Sequence, residues 1–256
     1  MLFPNINIQD ELSTIARDMG DYATQHSAEL RSANDPAFFS KEMVNALDPW
    51  LYERLHTLNS DIGYCGKSLT EGDQEVRWIT SLWSGTNSFF RDGYQWSVHL
   101  GLQTNNGYRL AYMYLPVLNE LFYAETGKGA TKNGKSVFPG TDTPLSQCTG
   151  GVGFSCVREG LEDNCIPIFN KLLPEVAFMN ILPIGSASCK VADRTFDFMF
   201  EKELSLNQIY SASVILEEAG GCVTDFQGNK TIDPSNILFS SNQRLLDSLL
   251  PYMAQS

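Results

Sequence analysis

The chain has 256 residues, 43% of them apolar and 11% aromatic, enough to bury a substantial core as one large domain or as two lobes sharing a sheet. A formal charge of -12 and an isoelectric point near 4.6, with no run of basic residues, argue against a nucleic-acid partner, because gripping a phosphate backbone takes a concentrated basic surface. Apolar runs are short and interrupted, and Met1-Leu2-Phe3-Pro4-Asn5 lacks a charged start with an apolar block behind it, so the expectation is a cytoplasmic protein with no membrane partner.

Ile8, Leu12, Ile15, Met19, Tyr22 and Ala23 recur at helical spacing and predict an amphipathic helix over residues 8 to about 28. A loop over 31–40, with Asn34-Asp35-Pro36, ends it. Met43, Leu47, Leu51, Leu55 and Leu58 then predict a second helix over about 41–58, with a kink or restart at Pro49 because proline removes a helical hydrogen bond. Over 76–87, Val76, Trp78, Ile79, Leu82 and Trp83 suit a covered strand that runs into Ser84-Gly85-Thr86-Asn87, small residues fit to start a helix. Backbone N–H groups at such a junction favour an anion in front of them; an ordinary strand-to-loop turn is the alternative.

Trp96, Val98 and Leu100 alternate, Asn105-Asn106-Gly107 makes a hairpin turn, and Tyr108, Leu110, Tyr112 and Tyr114 alternate again. Pro116-Val117-Leu118-Asn119 breaks the ladder before the run that starts at Glu120. A polar stretch over 139–149 separates an antiparallel first half, residues 1–145, from a second half, 146–256, in which strands and helices alternate. The second half reads as a strand over 151–155, a helix over 166–173, a strand over 176–184, a helix opening at Gly185-Ser186-Ala187 and a strand over 197–201. A helix over 209–219, capped by Gly220-Gly221, and a closing strand over 222–226 with a turn at Gly228 complete it. The six cysteines, Cys65, Cys148, Cys156, Cys165, Cys189 and Cys222, form no CxxC pair and read as reduced core thiols. The three histidines, His26, His56 and His99, have no second ligand at metal spacing and read as packing residues.

The frame Trp78, Ile79, Gly85, Thr86 and Phe89 resembles the Trp-Ile-x-Asp-Pro-x-Asp-Gly-Thr-x-Asn-Phe segment of the inositol monophosphatase superfamily, which takes in inositol monophosphatases, 3'-nucleotidases and fructose bisphosphatases. The most specific match is the run from Glu120 to Lys135, with Glu120-Leu121-Phe122-Tyr123-Ala124, Gly127-Lys128-Gly129-Ala130 and Asn133-Gly134-Lys135, which is similar to that family's glycine-rich hairpin. Gly185-Ser186-Ala187 and Glu217-Glu218-Ala219-Gly220-Gly221 match as well, so the resemblance covers nearly the whole chain. It implies an α+β or α/β fold in αβαβα layers, an antiparallel sheet lobe followed by a smaller mixed or parallel sheet lobe in one compact unit, and a homodimer.

The residues that hold magnesium in that family are altered. Its two aspartates fall on Ser81 and Ser84, and its Gly-Glu-Glu on Gly66-Lys67-Ser68. Its last ligand, the aspartate of Lys-Pro-Trp-Asp, aligns with Gln208, and the tryptophan with Asn207. Asp48, matched to the aspartate of Thr-x-x-Asp, is the one acidic site residue kept, with an exposed helix carboxylate as the alternative. Glu71, Asp73 and Glu75 read as a solvated loop, or else as carboxylates shifted back toward the site. Lys190 falls near the family's substrate-facing polar residues, or is a solvated helix cation.

Two-metal phosphoester hydrolysis needs several carboxylates converging on Mg²⁺, and hydroxyls, an amide and an ammonium hold such an ion poorly. No metal cofactor is therefore expected. Ser84, Gly85, Thr86, Asn87, Lys67, Lys190 and Gln208 are the candidates for binding a small anionic or phosphorylated molecule or a partner. One alternative is a metal-independent enzyme using Lys67, Ser81, Ser84 and Asp48; another is a residual phosphatase of inositol, nucleotide or sugar monophosphates.

Overall fold

The computed structural model describes residues 2–3, 7–31, 35–72, 75–91, 93, 95–107, 109–155 and 160–254, so Asn34, Asp73, Tyr108 and Cys156 lie outside the described residues. The first two helical patterns form α1 (Ile8–Arg31) and α2 (Pro36–Leu58). Asp10 and Glu11 sit in the first turn of α1, where the helix dipole favours anions, and Leu12, Ile15, Met19 and Ala23 bury its apolar stripe. α2 starts ahead of the expected Lys41, at a proline whose missing N–H costs nothing in a first turn. It also runs straight through Pro49 instead of restarting there, with Leu47, Leu51 and Leu55 fully buried on either side to offset the lost bond.

The first sheet has eight strands: β1 (Gly63–Cys65), β2 (Thr70–Glu71), β3 (Arg77–Ser84), β4 (Ser97–Gln103), β5 (Arg109–Leu115), β6 (Glu120–Glu125), β7 (Gly129–Lys132) and β8 (Lys135–Ser136). Their order is β2-β1-β3-β4-β5-β6-β7-β8, antiparallel throughout except for the parallel pair β1 and β3. The expected hairpin forms at Gly107, whose N–H reaches the Thr104 carbonyl at 3.2 Å. Pro116–Leu118 is a short 3₁₀ turn that ends β5, as the proline dictates. β4 is covered on both faces, so Ser97 and His99 are as buried as Val98 and Leu100. That double coverage departs from the alternation in the sequence, which reads as a strand with one wet face.

The second sheet joins β9 (Thr149–Val152), β10 (Phe178–Ile181), β11 (Phe198–Lys202), β12 (Cys222–Thr224) and β13 (Asn236–Ser240) in the order β10-β9-β11-β13-β12. β9 is parallel to β10 and β11, whereas β13 is antiparallel to β11 and β12. β9 stops before the expected 153–155, where the Ser155 N–H goes to the Glu201 carboxylate at 3.1 Å instead of to a neighbouring strand. Further helices are α3 (Thr86–Phe90), α4 (Ile166–Leu172), α5 (Ile184–Ala192), α6 (Leu206–Ala219) and α7 (Gln243–Met253). β13 and α7 are additions to the expected elements, α7 being capped by Asn242 Oδ1, which accepts the Leu245 N–H at 2.9 Å.

Three apolar clusters show the layering. Trp78, Val98, Leu100 and Tyr112 face α1 and α2; Ile79, Met113 and Phe122 face Val191, Ile209 and Ile215 of α5 and α6; Val152, Phe198 and Leu238 face Ile168 of α4 and Leu246 and Leu249 of α7. The order is helix, sheet, helix, sheet, helix, and residues 146–256 supply the middle helices that cover the sheet of residues 1–145. Among the described residues no helix is long and apolar enough to cross a membrane.

Candidate functional site

β3 bulges between Ser81 and Ser84, and its register with β4 sets Ser81 opposite His99 and Ser84 opposite Ser97. All four side chains are buried. Ser97 Oγ and His99 Nε2 share a 2.8 Å hydrogen bond, and the N-terminus of α5 closes over them. Gly185 donates its N–H to Ser84 Oγ at 3.3 Å and lies so close that a Cβ would stand 2.4 Å from both His99 Nε2 and Ser97 Oγ. Only glycine fits that approach. Burial drives the His99 imidazole down to about 4, against the pull of the Asn207 and Gln208 backbone toward the charged form. At neutral pH the ring is therefore uncharged.

The turn after Ser84 rests on Gly85, with φ of 94° and the Gln95 carbonyl oxygen 2.1 Å from where a Cβ would be. α3 follows as little more than one turn, with the Phe89 N–H on the Gly85 carbonyl at 3.0 Å. The backbones of Thr86 and Asn87 open that helix; their side chains lie outside the described residues, as do those of Leu82, Trp83 and His26. Ser88 holds the return of the chain, its Oγ accepting the Gln95 N–H at 3.0 Å.

Asp48 is fully buried, which removes the reading of an exposed helix carboxylate. Its carboxylate accepts Tyr64 Oη at 2.5 Å, the Ser68 N–H at 2.6 Å, Ser68 Oγ at 2.8 Å and the Leu69 N–H at 3.1 Å. Four donors replace the water a buried anion loses. Burial first, and then the Asp48 charge, raise the Tyr64 phenol far above its ordinary value, so it stays a donor. Thr80 Oγ1 completes the chain by donating to Tyr64 Oη at 3.0 Å. Lys67, next to this lock, stands exposed at the tip between β1 and β2; Glu71, on β2, and Glu75, beyond it, are exposed as well.

Gln208 turns back on its own helix start, Oε1 accepting the Ser205 N–H at 2.8 Å and Ser205 Oγ at 3.0 Å. Its neighbour Asn207 reaches across instead: Nδ2 donates to the Cys65 carbonyl at 2.7 Å and the Thr80 carbonyl at 2.8 Å, tying α6 to β1 and β3. Lys190 joins an alternating quartet, 2.8 Å from Glu120 and 3.8 Å from Asp193, while Lys132 lies 2.6 Å from Glu120 and 2.8 Å from Asp193. Burial alone would raise the Glu120 carboxyl, yet the two lysines hold it below its ordinary value. The stem of Lys190 also lines a cavity of about 220 Å³ with Ser186, Gln95 and Asn180.

The structure thus gathers Ser81 and Ser84 with Ser97, His99 and Gly185 under the starts of α5 and α6. Asp48 is withdrawn into the loop lock, Lys67 is left in solvent, and Lys190 is drawn into the quartet on α5.

Against known proteins, the sequence pattern of the inositol monophosphatase family matches residues 34–256. The chain belongs to that family. A relative from Neisseria meningitidis serogroup B (strain ATCC BAA-335 / MC58), named putative Nus factor SuhB, is 30% identical over 179 residues, 69% of this chain and 68% of that protein. Nus factor SuhB of Escherichia coli (strain K12) is 28% identical over 184 residues, 71% of this chain and 68% of that one. Among solved structures, the extragenic suppressor protein suhB of Bartonella henselae superposes with a TM-score of 0.83 at 18% identity, covering 98% of this chain and 100% of that one. Inositol monophosphatase from Anabaena superposes with a TM-score of 0.78 at 24% identity, covering 98% and 97%. Both share the layered fold of this chain.

Within this family member two residues matter more than sequence reading suggested. His99 reads as a packing residue, but its position opposite Ser81, two residues from Ser97, puts it in the buried cluster. The signal for Asn207 was a polar amide where the family motif has tryptophan. Such a group in a covered position has to find partners, and it does.

Proposed function

We propose that this chain has given up two-metal hydrolysis of phosphate esters and uses the inositol monophosphatase fold to bind a small anionic or phosphorylated molecule, or a partner. One observation carries the reading: Ser84 Oγ holds Gly185, Gln208 Oε1 holds Ser205, and the Asp48 carboxylate is filled by four donors of the chain itself. A hard dication draws its affinity from charged oxygens pointing at a common centre, and this donor set does not fit one. Among the described residues no group of three or more His, Cys, Asp or Glu is placed to hold a metal ion.

On the binding side, the exposed ammonium of Lys67 and the helix start after Gly85 are the groups left to meet an anion. Calorimetry with Mg²⁺ and a phosphate-release assay on inositol monophosphate test the proposal together. The expected outcome is neither saturable heat at millimolar Mg²⁺ nor turnover; magnesium-dependent turnover that vanishes with EDTA would overturn it.

A protein partner is the second reading, favoured by the name Nus factor that the Neisseria and Escherichia relatives carry. That name also weighs against the expectation of no nucleic-acid partner, whereas the charge of -12 opposes direct contact with a phosphate backbone. Co-purification from the native host, with and without nuclease treatment, separates a protein-borne association from one that RNA carries.

A further inference from the structure

A second polar pocket, of about 280 Å³, lies between α1 and the β6–β7 hairpin and shares no residue with the cluster beneath α5. Arg17 closes one end. Its guanidinium is held in place, Nη1 donating to Asn119 Oδ1 at 2.7 Å and Cζ standing 5.2 Å from the centroid of the Tyr114 ring. Asn119 is fixed in turn, since its carbonyl accepts Asn133 Nδ2 at 3.0 Å and Asn133 Oδ1 accepts the Leu121 N–H at 2.9 Å. The wall behind the cation is therefore rigid before any ligand arrives, which lowers the entropy lost on binding.

Among the described residues no carboxylate pairs with Arg17, although the chain carries 30 acidic side chains against 18 basic ones. Asp10 lines the other end of the pocket, on the same face of α1, two turns or about 10 Å along the axis. Its Oδ2 accepts only the neutral Asn7 amide, at 2.6 Å, and no cation pairs with it among the described residues. Ser13 lies between the two charges on α1, and Thr131 stands across from it on β7. The pocket is thus positive at one end, negative at the other and lined with hydroxyls between them.

We propose that this pocket binds a small zwitterion, its carboxylate on the Arg17 fork and its ammonium toward Asp10. A planar guanidinium with most of its N–H donors unspent matches a carboxylate in two hydrogen bonds, and a lone cation or anion would leave one end of the pocket opposed by like charge. The volume falls just under the usual range of ligand pockets, roughly 300 to 1,000 Å³, so an amino-acid-sized molecule is the right scale.

Backbone-amide NMR of the full chain tests it, with 4-aminobutyrate as the zwitterion, acetate as the carboxylate alone and n-butylamine as the ammonium alone. Saturable shifts at Ser13, Arg17, Leu121 and Thr131 are expected with 4-aminobutyrate, at an affinity about tenfold or more above either half-ligand. R17M, which keeps the apolar stem over Tyr114, should abolish binding with the rest of the spectrum preserved, and D10N should erase the preference for 4-aminobutyrate over acetate. The proposal is overturned by the absence of saturable shifts, by equal affinity for acetate and 4-aminobutyrate in the unaltered chain, or by shifts that survive R17M.

Discussion

Acidification acts on His99 in a way that can be worked out from its surroundings. The ring is fully buried between β4 and the starts of α5 and α6, bonded to Ser97 Oγ and held down to about 4, whereas in the unfolded chain it takes a proton near 6.5. Between those values the unfolded chain binds a proton that the folded chain refuses, so the stability is fully present above pH 6.5 and drains away as the pH falls toward 4. At about 1.4 kcal/mol per pH unit, the gap amounts to about 3 kcal/mol, a large part of a typical domain's stability. Guanidinium denaturation at a series of pH values from 7.5 to 4.5 should therefore show the unaltered chain losing about 2.5 kcal/mol more than His99→Gln, in which a neutral amide keeps a partner for Ser97. The carboxylates titrate alike in both proteins, so the difference isolates the ring. Parallel pH profiles for the two, or an imidazole titrating near 6.5 in the folded chain by NMR, would refute the reasoning.

Asp48→Ala should cost about 3 to 5 kcal/mol in chemical denaturation, because it strands Tyr64 Oη and the Ser68 and Leu69 donors together. Gly185→Ala forces a Cβ against His99 and Ser97, and overpacking of that kind predicts a loss of about 1 to 3 kcal/mol with a shifted His99 resonance. Asn207→Leu should lower stability by about 2 kcal/mol or more by leaving the Cys65 and Thr80 carbonyls without their donor, and faster amide exchange at β1 would locate the damage there. Lys190→Met should raise the Glu120 titration toward its ordinary value, which NMR of the carboxyl carbon reads directly.

Much of the fold was legible because burial imposes a period on the sequence. The α1 stripe, the β3 run and the Gly107 hairpin follow from spacing and turn chemistry, and the hairpin from Glu120 to Lys135 also from resemblance. What spacing could not carry was tertiary context. Pro49 sits inside a continuous helix because buried leucines flank it, and past the end of β9 the Ser155 N–H is taken by a carboxylate from β11, distant in sequence. At the candidate site, residue types marked the places but not the partners. That the strand of Ser81 runs into a turn at Ser84 was readable, and that Gln208 bends back to Ser205 while Asn207 crosses to β1 was not, because a side-chain rotamer leaves no trace in sequence. The carboxylate of Asp48 gave no hint of its four donors, one of which comes from Tyr64 on β1 and three from the loop about twenty residues further along.

The middle helices have a consequence for how the molecule comes apart. Ile79, Met113 and Phe122 of the first sheet lie against Val191, Ile209 and Ile215, all supplied by the later half of the chain. Translation therefore delivers the first sheet with one oily side bare, and it stays sticky until the ribosome has released α5 and α6. A chain severed near residue 145 should aggregate instead of settling into a half-molecule, and the intact protein should melt in a single step, the two sheets sharing one fate.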